Sequence, residues 1–222
     1  MKNITLIIPA KYEKESLPEV LLELKKYSFN IIVILEPTDY ETIDSIKNFE
    51  CKIIHQTNKG YGNALILGIK NVKTDYFCIF NADGSFNPTE ILGMFNKLKN
   101  EDKDIIFASR YEKNAGSDDD TLITKIGNFI FTALGKFLFR LPITDILYTF
   151  VLGKTKMVLD LNLQSQDFTF CVELPIKAQR KNYKISSIPS YERIRIAGKK
   201  KVNAIRDGFY ILKKMIFMFF KD

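Results

Sequence analysis

The sequence predicts an α/β fold in which a mostly parallel sheet is flanked by helices. Short runs of apolar, β-branched residues recur through the first half of the chain, and segments with amphipathic helical spacing separate them. This alternation is typical of βαβ units, whose strands run parallel. The chain has 222 residues, of which 46% are hydrophobic and 27% charged. It is therefore long enough to bury a core without disulfides or structural metals.

Five strands are predicted in this half, and polar segments follow them. The strands begin near Asn3, Asn30, Cys51, Asp75 and Asp104. The helices between them start at capping residues. Ser16 with Glu19 and Thr38 with Glu41 have the spacing of a capping box, and Asn87, which precedes a proline, marks a further helix start.

The pattern changes after residue 112. The predicted elements there are, in order, an acidic loop at 116–120, an apolar helix at 126–141, a strand near 146–152, a helix at 170–182, an extended segment at 183–196 and a last helix at 202–220. Pro189 cannot donate a ladder hydrogen bond, so it favours a sheet edge for the extended segment. No internal repeat or flexible linker divides the chain, and we expect a single domain over residues 1–222.

The formal net charge of +7 is unevenly distributed. Residues 1–176 carry 20 Lys and Arg against 23 Asp and Glu, whereas residues 177–222 carry 13 against 3. A basic segment that ends in an apolar run suggests an anionic partner. Nucleic acid is disfavoured as that partner, because the 199–201 lysine run is short and the aromatic residues cluster terminally instead of alternating with cations.

The apolar segments and the cysteines argue against a secreted, a membrane-spanning or a disulfide-bonded protein. The first apolar run is too short for a signal peptide. The uncharged stretches 126–135 and 215–220 are shorter than the ~20 residues that cross a bilayer, so we expect contact with a membrane surface at most. Cys51, Cys78 and Cys171 are odd in number and scattered, which favours reduced core residues of a cytoplasmic protein.

Polar residues follow the predicted strands at one edge of the sheet, where parallel α/β proteins bind ligands. A carboxylate, an amide, a Gly turn or a cation follows each strand, as in Glu36, Lys59-Gly60 and Arg110. Taken singly, such residues are better explained as caps and turns. The segment 81–85, Asn-Ala-Asp-Gly-Ser, is more specific because its polar oxygens recur at alternate positions. Asp83 in this setting can hold a divalent cation that clamps a diphosphate.

Two common nucleotide-binding motifs do not match. A P-loop would need Gly at Tyr148, and the dinucleotide fingerprint would need Gly or Ala at Leu65. His55 is the only histidine and has no nucleophile at motif spacing, so we interpret it as structural.

Taken together, these segments resemble the family 2 glycosyltransferases, and within them the branch that glycosylates polyprenyl (dolichyl) phosphate with mannose or glucose. The similarity covers nearly the whole chain. The similar segments are 8–17, 58–64 with Gly68, 80–88, 108–111, Thr144-Asp145, Glu173-Leu174 and 195–202. No single motif is decisive, but their order and spacing are specific.

The resemblance implies a GT-A (Rossmann-like) fold and an inverting hexosyltransferase. Residues 1–112 would bind the nucleotide sugar, 113–201 the acceptor, and 202–222 would form an amphipathic helix. The implied nucleotide-sugar residues are Pro9, Ala10, Tyr12, Glu13, Glu36, Lys59, Gly60, Asn81, Ala82 and Asp83. The implied metal ligands are Asn81, Asp83 and Ser85, and the implied catalytic residues are Asp83, Asp145 and Glu173. The implied acceptor-phosphate residues are Arg110, Lys125, Arg193, Arg195, Lys199 and Lys201.

The chain departs from the family pattern at two strand ends. Asn81 stands where the family has the first Asp of its Asp-x-Asp segment, so Mg²⁺ or Mn²⁺ would be held more weakly. After the second strand the family usually has two carboxylates, whereas this chain has one, Glu36. A saccharide or other soluble acceptor, and a non-catalytic nucleotide-sugar-binding homologue, therefore stay open as alternatives.

A polyprenyl acceptor implies contact with an anionic membrane surface. Residues 126–140 and 209–220 would be interfacial helices, with their lysines near anionic lipid. The protein would then be cytoplasmic and peripheral on the inner face of the membrane. The alternative is that both helices pack on the domain or in a homodimer.

Overall fold

A seven-stranded sheet organises the computed structural model, which describes residues 1–221. Its strands are β1 Ile4–Pro9, β2 Asn30–Leu35, β3 Lys52–His55, β4 Tyr76–Ile79, β5 Ile105–Ser109, β7 Val151–Lys154 and β8 Ile185–Pro189. The spatial order is β3-β2-β1-β4-β7-β5-β8. All neighbours are parallel except β7, which runs antiparallel to β4 and β5. The predicted mostly parallel sheet and its first five strands are confirmed, and Pro189 ends an edge strand.

A second, two-stranded parallel ribbon pairs β6 Gly116–Ser117 with β9 Tyr191–Glu192. It joins the start of the predicted acidic loop to the residues directly before the 193–201 segment. The strand expected near 146–152 is displaced, since regular pairing begins at Val151; residues 146–150 approach the sheet as a buried but irregular segment.

The helices are α1 Leu17–Leu24, α2 Tyr40–Ser45, α3 Tyr61–Asn71, α4 Glu90–Asn100, α5 Leu122–Phe139, α6 Thr155–Asp160, α7 Phe170–Arg180 and α8 Ala204–Phe220. The predicted capping boxes are wrong. The Ser16 hydroxyl donates to Glu13 Oε2 instead of capping α1. The N-cap of α2 is Asp39, whose carboxylate accepts the Thr42 N–H.

Successive residues of each strand point to opposite faces of the sheet. Each face therefore has its own apolar core, and helices cover both. Ile7, Ile79 and Phe107 point into the core beneath α3, α7 and α8. Their strand neighbours, such as Ile8 and Phe80, point into the core beneath α1 and α4. The three free cysteines fit this packing: Cys78 is buried and the other two are half-buried.

Helix α5 is longer than the apolar stretch predicted from the sequence. It spans 18 residues, and among the described residues it alone has the length and composition that could cross a membrane. The uncharged stretch 126–135 therefore underestimated the length of this helix. In the structure α5 packs on α7 and α8. On its domain-facing side the side chains of Asn128 and Thr132 accept the backbone N–H groups of Leu147 and Ile146.

Helix α3 approaches the sheet closely at Gly68, and this contact yields the first prediction. A Cβ added there would overlap the buried Ile7 Cγ2 and lie 3.4 Å from Ile34. Gly68→Ala should therefore lower the free energy of unfolding by about 1–3 kcal/mol through overpacking, although Ala is intrinsically the better helix former. The control is Gly127→Ala in α5, where an added Cβ meets nothing within 4 Å.

Urea unfolding of both variants measures the difference. Gly127→Ala should stabilise the protein by about 0.5–1 kcal/mol. Equal stabilisation by the two substitutions would show that α3 does not depend on close contact with β1.

Candidate active site

The carboxyl ends of β1 and β2 bring several predicted donor-binding residues together. Pro9 ends β1 and Ala10 is buried directly after it. Lys11 Nζ lies 2.9 Å from Glu36 Oε1 after β2, and this bond raises the pKa of Lys11. The Tyr12 N–H donates to Asp39 Oδ2 at 2.7 Å, and Tyr12 has a positive φ of 53°. The first two strand exits are thus tied into one surface.

Glu13 is buried at this edge and carries three contacts. Its backbone N–H donates to Thr42 Oγ1, its carboxylate accepts the Ser16 hydroxyl, and the same carboxylate pairs with Lys201. Its position links the β1 exit to the basic segment from the far end of the chain.

The segment after β4 forms a tight turn around Asp83. Asp83 Oδ1 accepts both the N–H and the O–H of Ser85, at 3.0 and 2.7 Å. Asn81 Nδ2 lies 3.4 Å from Ser85 Oγ. The three predicted metal ligands are therefore adjacent, and their oxygens belong to a carboxylate, an amide and a hydroxyl.

Residues 193–201, which we call the basic loop, lie across this turn. The N–H groups of Arg193 and Ile196 donate to the carbonyl oxygens of Ser85 and Asp83 at 2.9 and 2.8 Å. Arg195 Nη1 lies 3.4 Å from Asp83 Oδ2. Burial alone would lower the pKa of Arg195, but Asp119 and Asp83 raise it. The loop thus places fixed positive charge on the carboxylate of the predicted metal site.

Three further cations of the basic loop differ in their partners. Arg193 forms a bidentate pair with Glu23, both bonds measuring 3.0 Å. Lys200 pairs with Asp119 at 3.3 Å. Lys199 is exposed. Lys125 lies apart from them but near the acidic loop, in the exposed first turn of α5.

Arg110 and Asp145 form a buried pair at the end of β5. The guanidinium donates to both carboxylate oxygens, at 2.8 and 3.1 Å, and to Glu192 at 3.2 Å. Burial alone would lower the pKa of Arg110, but Asp145 raises it well above its usual value. This pair ties β5 to the segment after α5 and to β9.

Glu173 lies away from this group, beneath the loop 164–167. Its carboxylate accepts the N–H groups of Gln164 and Ser165. That loop in turn packs on the Gly60 turn, because a Cβ at Gly60 or Gly62 would overlap its carbonyl oxygens. Lys59 is exposed on the same turn.

Sequence reasoning missed the partners that hold these residues in place. Asp119 was recognised only as part of an acidic loop, and Asp39 and Glu23 had no assigned role. The loop 164–167 was not singled out. Charge complementarity between the 116–120 and 193–201 segments was the one available signal, but pairing between distant loops cannot be derived from composition.

The Arg110–Asp145 pair gives the second prediction. Arg110→Met should lower the free energy of unfolding by about 3–5 kcal/mol, because it leaves the Asp145 carboxylate buried without its counter-ion. Lys47→Met is the control, since Lys47 pairs with Asp44 on the surface and should have little effect. Urea unfolding compares the variants; unchanged stability in Arg110→Met would mean that the guanidinium is free for a ligand.

Comparisons with known proteins agree with the fold and identify the family. A curated relative is a UDP-N-acetylglucosamine–dolichyl-phosphate N-acetylglucosaminyltransferase from Methanococcus voltae, 27% identical over 213 residues, which cover 85% of this chain and 84% of the relative. A solved glucosyl-3-phosphoglycerate synthase from Mycobacterium tuberculosis, in complex with Mn²⁺, UDP and product, superposes with a TM-score of 0.74. It is 11% identical, with 98% of this chain and 80% of that chain covered.

A mannosyl-3-phosphoglycerate synthase from Rubrobacter xylanophilus has the same TM-score of 0.74 at 10% identity, with 97% of this chain and 73% of that chain covered. At these identities the likeness concerns the fold alone, and it confirms the GT-A architecture.

The model of a family described as "Glycosyl transferase family 2" matches residues 5–161. Because that match spans more than half of the chain, this protein belongs to glycosyl transferase family 2 and is a glycosyltransferase.

Proposed function

We propose that this glycosyltransferase moves a sugar, with inversion, from a nucleoside-diphosphate sugar to a polyprenyl phosphate at a membrane surface. The observation that carries the proposal is the basic loop, which lies directly over the Asp83 turn. Cations placed there can meet a phosphate acceptor beside the donor's diphosphate. The Methanococcus voltae relative, whose name specifies dolichyl phosphate, supports this acceptor class.

The donor would lie along the joined strand exits. Glu13 and Glu36 would border the base and ribose, with Pro9 and Ala10 forming the floor. Asn81, Ala82 and Asp83 would approach the diphosphate. Lys59 and Gly60 would contribute from the neighbouring turn. This placement follows the general rule that ligands of parallel α/β sheets bind outside the carboxyl ends of the strands.

The donor set at Asn81, Asp83 and Ser85 fits a divalent metal that is bound together with the diphosphate. No group of three or more His, Cys, Asp or Glu that could hold a metal by itself is found among residues 1–221. Mg²⁺, however, commonly uses one or two carboxylates and takes its other ligands from substrate phosphates and water. When bound, such an ion would neutralise charge on the leaving diphosphate. The Mn²⁺ in the mycobacterial synthase complex supports a divalent ion generally.

The protein would promote this reaction mainly by positioning the two reactants and by compensating their negative charge. A phosphate monoester is already anionic at pH 7, so its oxygen can attack the anomeric carbon without a strong base. The bond from that carbon to the diphosphate oxygen breaks as the new bond forms on the opposite face. Arg195, Lys199 and Lys201 would hold the acceptor phosphate against the repulsion of the donor diphosphate.

Helices α5 and α8 provide the membrane contact in this proposal. Apolar side chains protrude from both, with Phe137 84% and Phe220 81% exposed. The exposed cations Lys136 and Lys213 accompany them. The bonds that Asn128 and Thr132 make to the domain hold α5 against the protein, which favours an interfacial helix over a spanning one. The protein would then be cytoplasmic and peripheral.

The donor site gives the third prediction. With UDP-[¹⁴C]N-acetylglucosamine as the first probe, the protein should transfer label to dolichyl phosphate in the presence of Mg²⁺ or Mn²⁺. Asp83→Asn should lower this rate by roughly 100-fold or more, because it removes the one charged ligand that Asn81, Asp83 and Ser85 together offer the ion. Asn81→Asp should lower the metal concentration needed for half-maximal rate.

The same assay separates the alternatives. Transfer to 3-phosphoglycerate or free saccharide, without transfer to dolichyl phosphate, would replace the lipid acceptor with a soluble one. Absence of turnover that is restored by Asn81→Asp would identify a non-catalytic binding protein.

The membrane surface gives the fourth prediction. The protein should sediment with vesicles containing phosphatidylserine, and Phe217→Ser with Phe220→Ser should weaken this binding by at least tenfold, because exposed apolar area is lost. Leu92→Ser is the control, since Leu92 is 47% exposed, close to the 54% of Phe217, but lies on α4. Equal sedimentation of the double variant and the control would overturn the proposed membrane contact of α8.

A further inference from the structure

Glu173 is a buried carboxylate, and both of its oxygens have hydrogen-bond or ion-pair partners. It is 1% exposed. Its oxygens accept the Gln164 N–H at 3.0 Å and the Ser165 N–H at 2.6 Å, and Lys177 Nζ lies 2.8 Å away. Lys214 of α8 lies at 3.8 Å. Burial by itself would raise the pKa of Glu173, but Lys177 and the Ser165 N–H keep it below its usual value. The group is therefore held ionised.

The backbone that Glu173 holds is the loop 164–167, and this loop contacts the start of α3. The Gln166 carbonyl oxygen accepts the Asn63 N–H at 2.9 Å. A Cβ on Gly62 would overlap the Ser165 carbonyl oxygen and lie 2.7 Å from that of Asp167. The Tyr61 ring stacks on Phe168 with centroids 5.0 Å apart. The loop and the turn therefore fit together with no room for an added methyl group.

The turn follows β3, at the same carboxyl edge of the sheet as the proposed donor site. Gly60, with φ 123°, is the N-cap of α3, and Lys59 is exposed beside it. A cation at a helix N-terminus, where the dipole also favours negative charge, suits a diphosphate. Gln56, directly after β3, holds the turn on one side by donating to the Asn58 and Gly60 carbonyl oxygens at 3.1 and 3.0 Å. The loop 164–167 holds it on the other side.

We propose that Glu173 is a positioning residue for the nucleotide sugar: it fixes the loop 164–167, which in turn fixes the Lys59–Gly60 turn against the donor. This inference rests on the proposed function, because it assumes that the turn contacts the donor. It replaces the direct catalytic role implied by family resemblance. The carboxylate has no oxygen free for a substrate and acts through the backbone of two successive segments.

The test is Glu173→Gln, which preserves shape but directs an amide N–H group where the loop offers N–H donors. Binding of UDP and of UDP-N-acetylglucosamine is measured by calorimetry, and KM and kcat are measured separately. We expect donor affinity to fall and donor KM to rise at least tenfold, with kcat changed less than threefold. The acceptor KM should stay unchanged.

The matched control is Asp104→Asn. Asp104 is also a buried carboxylate that accepts a backbone N–H, from Lys184 at 2.9 Å, and pairs with a lysine, Lys154 at 2.8 Å. It lies at the opposite end of β5 from the site. This variant should keep donor affinity within twofold of the wild type.

Two further measurements keep the inference falsifiable. Hydrogen exchange in a peptide covering residues 60–66 should quicken in Glu173→Gln and not in Asp104→Asn, whether or not a nucleotide binds. If Glu173→Gln does not fold, Gly62→Ala disturbs the same contact from the other side and should also raise the donor KM.

The outcomes distinguish this inference from the function on which it rests. Wild-type protein that binds neither UDP compound nor GDP would contradict the proposed donor site. Quickened exchange at 60–66 would then still support the Glu173 linkage. Unchanged exchange together with unchanged donor affinity in Glu173→Gln would overturn the inference, even if the wild type is an active transferase.

Discussion

The candidate site depends on charge compensation between the amino-terminal body and the carboxyl-terminal segment. The body is net acidic and the segment strongly basic, and they meet at the carboxyl ends of β1 and β4. Arg195 faces Asp83, Lys201 pairs with Glu13, and Lys200 pairs with Asp119. Each cation is held by a carboxylate that lies in or beside the proposed donor site. Carboxylates thus hold the basic loop over the site. A diphosphate would offer the same cations negative charge in place of those carboxylates.

This arrangement has a consequence for ligand exchange. A donor diphosphate with its metal ion would bring positive charge to Asp83 and negative charge to the basic loop, so existing ion pairs could be exchanged instead of simply lost. Partly exposed pairs of this kind are individually weak, which makes such exchange accessible. The buried Arg110–Asp145 pair differs, because separating its partners would leave a charge in a low-dielectric interior. It is a fixed point around which the more exposed pairs can rearrange.

The sequence was sufficient for the first five strands of the sheet and for the residues at their carboxyl ends. Runs such as 4–8 and 76–79 are apolar on both faces, which is diagnostic of a strand covered by helices, and the rule for parallel sheets then placed Glu13, Glu36 and Asp83 at one edge. Helix starts were less predictable. Ser16 and Thr38 have capping-box spacing, yet a nearby carboxylate competes with the expected cap in each case: the Ser16 hydroxyl donates to Glu13, and Asp39 replaces Thr38 as the N-cap of α2. Local spacing cannot reveal such competition.

The contacts between distant segments could not be derived from the sequence either, because local sequence does not show which segments meet. Nothing in the local sequence of Glu173 or Gly62 indicates that they are connected, and their connection exists only because the loop 164–167 lies between α7 and α3. The same carboxylate is approached by Lys214 of α8, the helix proposed to lie on a membrane. One buried charge therefore lies between a candidate membrane helix and the candidate donor turn. A shift of α8 on lipid would reach Glu173 both through Lys214 and through α7, which carries Glu173 and on which α8 packs directly.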